Sequence, residues 1–167
     1  HDERVQSSSF DVYAQRIDKD GYVRWTINGV AIAVEFGSQS KPDIVADGAG
    51  GAFITWTDTR AGDNDVYAQR IDSSGNVLWT KDGVVVADGA MNQSDPKITS
   101  DGRGGVIITY INQASSGPGT HVYAMRLGGD GTKLWAAPSA VCTSFILQNK
   151  AVIASDGRSG AYIAWAH

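Results

Sequence analysis

The chain holds a single cysteine, Cys142, so no disulfide can close within it and cysteine leaves the redox compartment open. Glutamate is almost missing, with only Glu3 and Glu35. A glycosidase needs two specifically placed carboxylates flanking its substrate, and repetition of one motif cannot supply that asymmetry. No apolar run approaches the roughly eighteen residues of a membrane span. The net charge of -4 is spread without a basic stripe, which argues against nucleic acid and membrane insertion as partners. His1, His121 and His167 have no metal-ligand spacing, and no phosphate loop, nucleophile elbow or zinc motif occurs.

What is abundant is glycine, 20 residues of it, with many Asp, Ser, Thr and Val. Without a sustained amphipathic period, this composition predicts short strands joined by tight turns, an all-β chain. At 167 residues and 42% hydrophobic, the length suits one domain with a sizeable core.

An internal repeat dominates the sequence. DVYAQRID at Asp11, DVYAQRID at Asp65 and HVYAMRLG at His121 fix the phase. Trp25, Trp79 and Trp135 then correspond, as do Gln39, Gln93 and Gln148, and the turns DGAGG at Asp47, DGRGG at Asp101 and DGRSG at Asp156. On this register a single repeat domain, 1–167, divides into units 1–56, 57–110 and 111–165. Asp2-Glu3-Arg4 matches Asp58-Thr59-Arg60, so the termini are expected to fall inside one unit, and a chain opening on His1 is expected to be processed or part of a longer one.

Each unit predicts four strands. In the clearest case these are Pro96 to Ser100, Gly105 to Ile111, His121 to Leu127 and Thr132 to Ala136, with tails such as Gly29 to Ala33 and Gly83 to Ala87 either extending the fourth or standing alone. Three four-stranded units fit a β-propeller or a β-trefoil. In DVYAQRI, Val66 and Ala68 oppose Tyr67 and Ile71, and in AFITW, Ala52, Ile54 and Trp56 oppose Phe53, so both strand faces are apolar. That pattern favours a propeller with four-stranded blades, about three per chain, over a trefoil. Three blades leave apolar faces uncovered at both ends. Two copies forming six blades, with one blade shared between chains, or adjoining blades of a longer chain, meet that need.

The phrase W-x-D-x-R, D-V-Y-A-Q-R-I-D, G-x-x-x-W, Q-x-x-P and D-G-x-G-G resembles tandem repeats of bacterial secreted and cell-surface proteins. The resemblance implies propeller blades and a secreted or cell-surface setting, but no particular reaction. The third unit departs from it, with YINQA in place of WTDTR and Ala151 in place of the proline at Pro42 and Pro96.

Candidate sites were weighed against structural roles. Arg16, Arg70 and Arg126 could cluster on a carboxylate ligand, as in sialidases, yet their place beside Val and Ala on a strand predicts pairing within each blade. Asp58 and Arg60 read as structural. Trp25, Trp79 and Trp135 could stack sugar rings in a lectin, or serve as packing residues. Asp58, Asp63, Asn64 and Asp65 offer oxygen donors for calcium without an EF-hand spacing, so no cofactor is required. Cys142 reads as a small buried residue. Asn92-Gln93-Ser94 fits a glycosylation triplet. The expected function is a noncatalytic extracellular module for molecular interaction or surface assembly, with carbohydrate binding as the alternative and a propeller hydrolase behind both.

Overall fold

A computed structural model describes residues 9–113, 119–144 and 147–166. Its regular structure is entirely strand: β1 (Val12–Ala14), β2 (Val30–Ala33), β3 (Gln39–Ala46), β4 (Ala52–Asp58), β5 (Asp65–Ile71), β6 (Val84–Ala87), β7 (Gln93–Ser100), β8 (Val106–Gln113), β9 (Thr120–Leu127), β10 (Ser139–Cys142), β11 (Asn149–Ser155) and β12 (Ala161–Ala166). All pairings are antiparallel. β3-β4-β5-β6 and β7-β8-β9-β10 form two four-stranded meanders, and β1-β2 and β11-β12 form two-stranded sheets.

The repeat is visible in register. Thr55 faces Ala68 and Thr109 faces Ala124; Phe53 faces Arg70 and Ile107 faces Arg126. The first hairpin of three of the four sheets breaks register at one phase, between Ser40 and Asp43, Ser94 and Lys97, and Asn149 and Val152. Lys41, Asp95 and Lys150 take left-handed backbone angles there, with φ of 53°, 52° and 51°. One extra residue at each of these places re-aims the chain in the manner of a β-bulge.

The fourth strand corrects the sequence reading. Thr132 to Ala136 is not a strand, and the outer strands are the downstream segments Val84–Ala87 and Ser139–Cys142. In the β3–β6 sheet the cause is Gln69, whose side chain takes the hydrogen bonds that a neighbouring strand would use. Its Oε1 accepts from the Trp79 amide and its Nε2 donates to the Thr80 carbonyl. The indole is thereby held on a bend, and pairing resumes only past Gly83.

Every residue of β4 is buried, because the β3–β6 sheet is covered on both faces. Phe53, Val66 and Ala68 pack with Ile98, Val106 and Ile108 of the next sheet, while Ile54, Trp56 and Tyr67 pack with Val12, Ile32 and Ala33 of β1-β2. The first strands lie side by side, β3 against β7 and β7 against β11. Each fully buried large apolar side chain contributes about 1.5–3 kcal/mol, so Phe53, Trp56 and Ile71 anchor the sheet to both neighbours.

Candidate functional site

The chemistry-bearing residues gather at three recurrent places. The first is the D-G-x-G-G turn between the first two strands of a sheet. Asp47 Oδ1 accepts from the Ala49 and Gly51 amides, and its Oδ2 accepts from Arg70 Nε at 3.2 Å and Nη2 at 2.8 Å. Asp101 repeats this with Arg103, Gly105 and Arg126, the guanidinium at 2.9 and 2.7 Å. Burial acts to raise the pKa of both carboxyls. The arginine and turn amides outweigh it and hold each below the usual carboxylate range. The last glycine of the turn is obligatory. A Cβ on Gly51 would lie 2.1 Å from the Ile71 carbonyl oxygen, and one on Gly105 2.4 Å from that of Leu127.

Arg70 and Arg126 thus stand in separate sheets, each paired with an aspartate from the neighbouring hairpin. Arg70 also lies over the Phe53 ring at 5.0 Å and donates to the Gly129 carbonyl. Arg16 contacts only the Ser73 carbonyl, at 3.4 Å, and no carboxylate pairs with it among the described residues.

The second place is the tryptophan bend. Trp79 is buried, tilted against Phe53 at 5.7 Å, and its indole donates to Gly129 O in the turn of the following sheet. Trp25 donates likewise to Ser73 O, also across a sheet boundary. Trp135 is half-buried and has no such acceptor among the described residues. Trp25 retains open surface in a cleft of about 340 Å³ with Gln15, Arg16, Ile44 and Gly50.

The third place is the end of the second strand. Asp58 accepts from the Trp56 indole at 2.8 Å, from the Arg60 amide and from Arg60 Nη2, with Gln39 alongside. Burial works to raise its pKa, but the Arg60 and Trp56 hydrogen bonds hold it down. Arg60 spans Tyr67 at 4.1 Å and reaches the Asp82 carbonyl, tying three segments together. In the next sheet Asn112 replaces Asp58, and a cavity of about 270 Å³ opens among Gln93, Tyr110, Asn112, Tyr123 and Pro138. Burial pushes the Tyr110 phenol up. Gln93 Oε1 is buried there without a partner.

Of the proposed calcium donors, Asp58 is committed to Arg60 and Trp56, and Asn64 is engaged through its backbone, its amide taking Asn92 and its carbonyl Gln93. Asp65 is raised by burial and by the Asp88 and Asp63 charges. Among the described residues no three His, Cys, Asp or Glu side chains gather as a metal site. His121 packs near Tyr123, Glu35 lies 3.8 Å from Lys81, and Cys142 is half-buried beside Ser144. Asn92 of the glycosylation triplet donates to Gln113. His1, Asp2, Glu3, Arg4 and His167 lie outside the described residues. No family model, curated protein or solved structure matches the chain.

The sequence reading did not single out Asp47, Asp101 and Asp156 as a functional set. The signal was present, since they recur at the same phase as the arginines. Their 23- and 25-residue separations from Arg70 and Arg126 hid the pairing, because only the hairpin brings them together.

Proposed function

We propose that the chain is a noncatalytic β-propeller module of the extracellular or cell-surface kind, serving molecular interaction or surface assembly. The observation that carries this reading is the contrast between repeated sealed joints inside the chain and open apolar faces at its two end sheets. Phe10, Ile17, Tyr22, Ile27 and Phe36 are exposed at one end, and Val152, Tyr162 and Trp165 at the other. Exposed faces of this extent mark interaction surfaces. Consecutive four-stranded meanders, with first strands side by side, suit radially arranged blades better than a trefoil. The carboxylates of the turns are occupied in holding backbone, which supports a noncatalytic role.

The measurement that tests this is mass in solution by light scattering, with small-angle X-ray scattering for shape. Self-association into a ring-like particle is expected. A compact monomer, or turnover of glycoside substrates, would overturn the reading. Carbohydrate binding is the second reading, favoured by the open Trp25 cleft. Glycan-array binding that is lost in Trp25→Ala, with folding retained, would select it.

A further inference from the structure

We infer that β12 of one copy pairs with β1 of a second copy in a single register, joining β11-β12 and β1-β2 into a four-stranded sheet with Ala164 opposite Ala14. The inference rests on the assembly reading above and names its partner, a second copy of this chain. Its template is inside the molecule. β4 pairs with β5, and β8 with β9, in one register, and β12 and β1 carry the same phases of the repeat. In each complete sheet these are the middle two strands. In the end sheets they stand at edges among the described residues, β12 beside β11 and β1 beside β2.

Four independent features of the two ends are halves of joints that are complete elsewhere. Asp156 Oδ1 binds the Arg158 and Gly160 amides as Asp47 and Asp101 bind theirs, but among the described residues no guanidinium hydrogen-bonds to it, and no aspartate is ion-paired with Arg16. Gly160 stands where Gly51 and Gly105 are forced to be glycine by a strand carbonyl. The three atoms nearest to a Cβ there all belong to Asp156, with no strand carbonyl among them; the carbonyl at that phase belongs to Ile17 at the far end of the chain. Tyr162 stands at the phase of Phe53 yet is 71% exposed against 0%. The cleft beside Trp25 and Arg16 is the space that Phe53 fills beside Trp79 and Arg70.

The fourth feature lies on the other side of the same joint. Gly75 and Gly131 approach the rings of Trp25 and Trp79 so closely that a Cβ would stand 3.0 and 3.1 Å away, whereas Gly21 meets nothing within 4 Å. Trp135 correspondingly has no carbonyl for its indole among the described residues. In the joined sheet the Gly21 turn of one copy sits on Trp135 of the other, and the Lys19 carbonyl takes the role of Ser73 and Gly129. Charge, shape and hydrogen-bonding deficits thus match across one register. A shift by one residue would turn Tyr162 and Arg16 to opposite faces and leave every one of them unmet.

The test is a cysteine pair in a Cys142→Ser background. Ala14→Cys with Ala164→Cys is expected to give covalent dimers under mild oxidation, while Gln15→Cys with Ala164→Cys is expected not to. Asp156→Arg and Arg16→Asp are each expected to weaken self-association more than about tenfold by leaving like charges face to face. Mixing these two variants should restore it, since the mixed dimer has one native and one reversed pair. A cooperative melting transition in dilute protein confirms that each variant folds, the Asp156 variant melting slightly lower because it loses its turn-amide bonds. Association that survives both reversals without cross-linking at Ala14 and Ala164 would overturn the register while leaving the assembly reading in place. A parent protein that stays monomeric at every concentration would overturn both.

Discussion

Phe53 and Tyr162 occupy the same position of the same repeat, one sealed and the other largely open to solvent. Ile98 and Ile44 form a similar pair, 6% and 55% exposed. Neither contrast comes from the residues, which are alike in size and polarity. It comes from what stands opposite: Phe53 faces Ile98 and Val106 of the next sheet, while Ile44 lines the open cleft beside Trp25 and Tyr162 is largely exposed. Interior joints and terminal half-joints are built from one vocabulary, and burial is decided by the neighbour.

The comparison is broken most forcefully at the aromatic position. Phe53→Ala should destabilise the fold by about 3–5 kcal/mol in urea unfolding, the cost of a large core cavity. Tyr162→Ala in dilute protein should cost less than about 1 kcal/mol and act instead on association. Equal losses would mean that the two ends are not open joints.

Next in size is the carboxylate of the turn. Asp101→Ala leaves the Arg126 guanidinium and the Gly105 amide without their acceptor and should cost about 3 kcal/mol. Asp156→Ala removes only the bonds to the turn amides and should cost about 1 kcal/mol.

Acid should separate the same residues. Asp47 and Asp101 are held below the usual carboxylate range, so their stabilisation is complete above about pH 4, the unfolded value, and fades as pH falls through the lower folded values. Asp101→Asn should flatten the loss of stability between about pH 4 and pH 2 when melting temperature is followed. The smallest effect isolates crowding from backbone strain. Gly21 and Gly131 have nearly the same φ, 84° and 86°, but only Gly131 abuts a tryptophan. Alanine at either should cost about 1 kcal/mol for the left-handed angle, with a further fraction at Gly131 alone, read from chemical denaturation.

Much of this was legible before any coordinates. The phase of DVYAQRID pairs residues that also share a register in the two four-stranded sheets, and the two-sided apolar alternation of AFITW predicts a strand covered on both faces, which β4 is. The outer strand was misread because Trp79 and its neighbours look like a strand by composition. Only the Gln69 side chain, reaching the Trp79 amide and the Thr80 carbonyl, reveals why they bend. The Asp58 and Arg60 pair sits close in sequence and could be read as a unit. Its tie to Tyr67 and to the Asp82 carbonyl could not, since both arrive from other segments.

By itself, then, the sequence determined the repeat, the all-β class and the phase of the recurrent arginines, aspartates and tryptophans, because these follow from local alternation and turn chemistry. Which aspartate meets which arginine, and which glycine a carbonyl crowds, was decided only in three dimensions. Those pairings join a turn to a strand that lies beside it in the sheet and twenty or more residues away along the chain. Tertiary structure also decided that, among the described residues, Asp101 meets Arg126 while Asp156 of the same phase has no such guanidinium, since that depends on whether a neighbouring strand lies alongside and not on the turn itself.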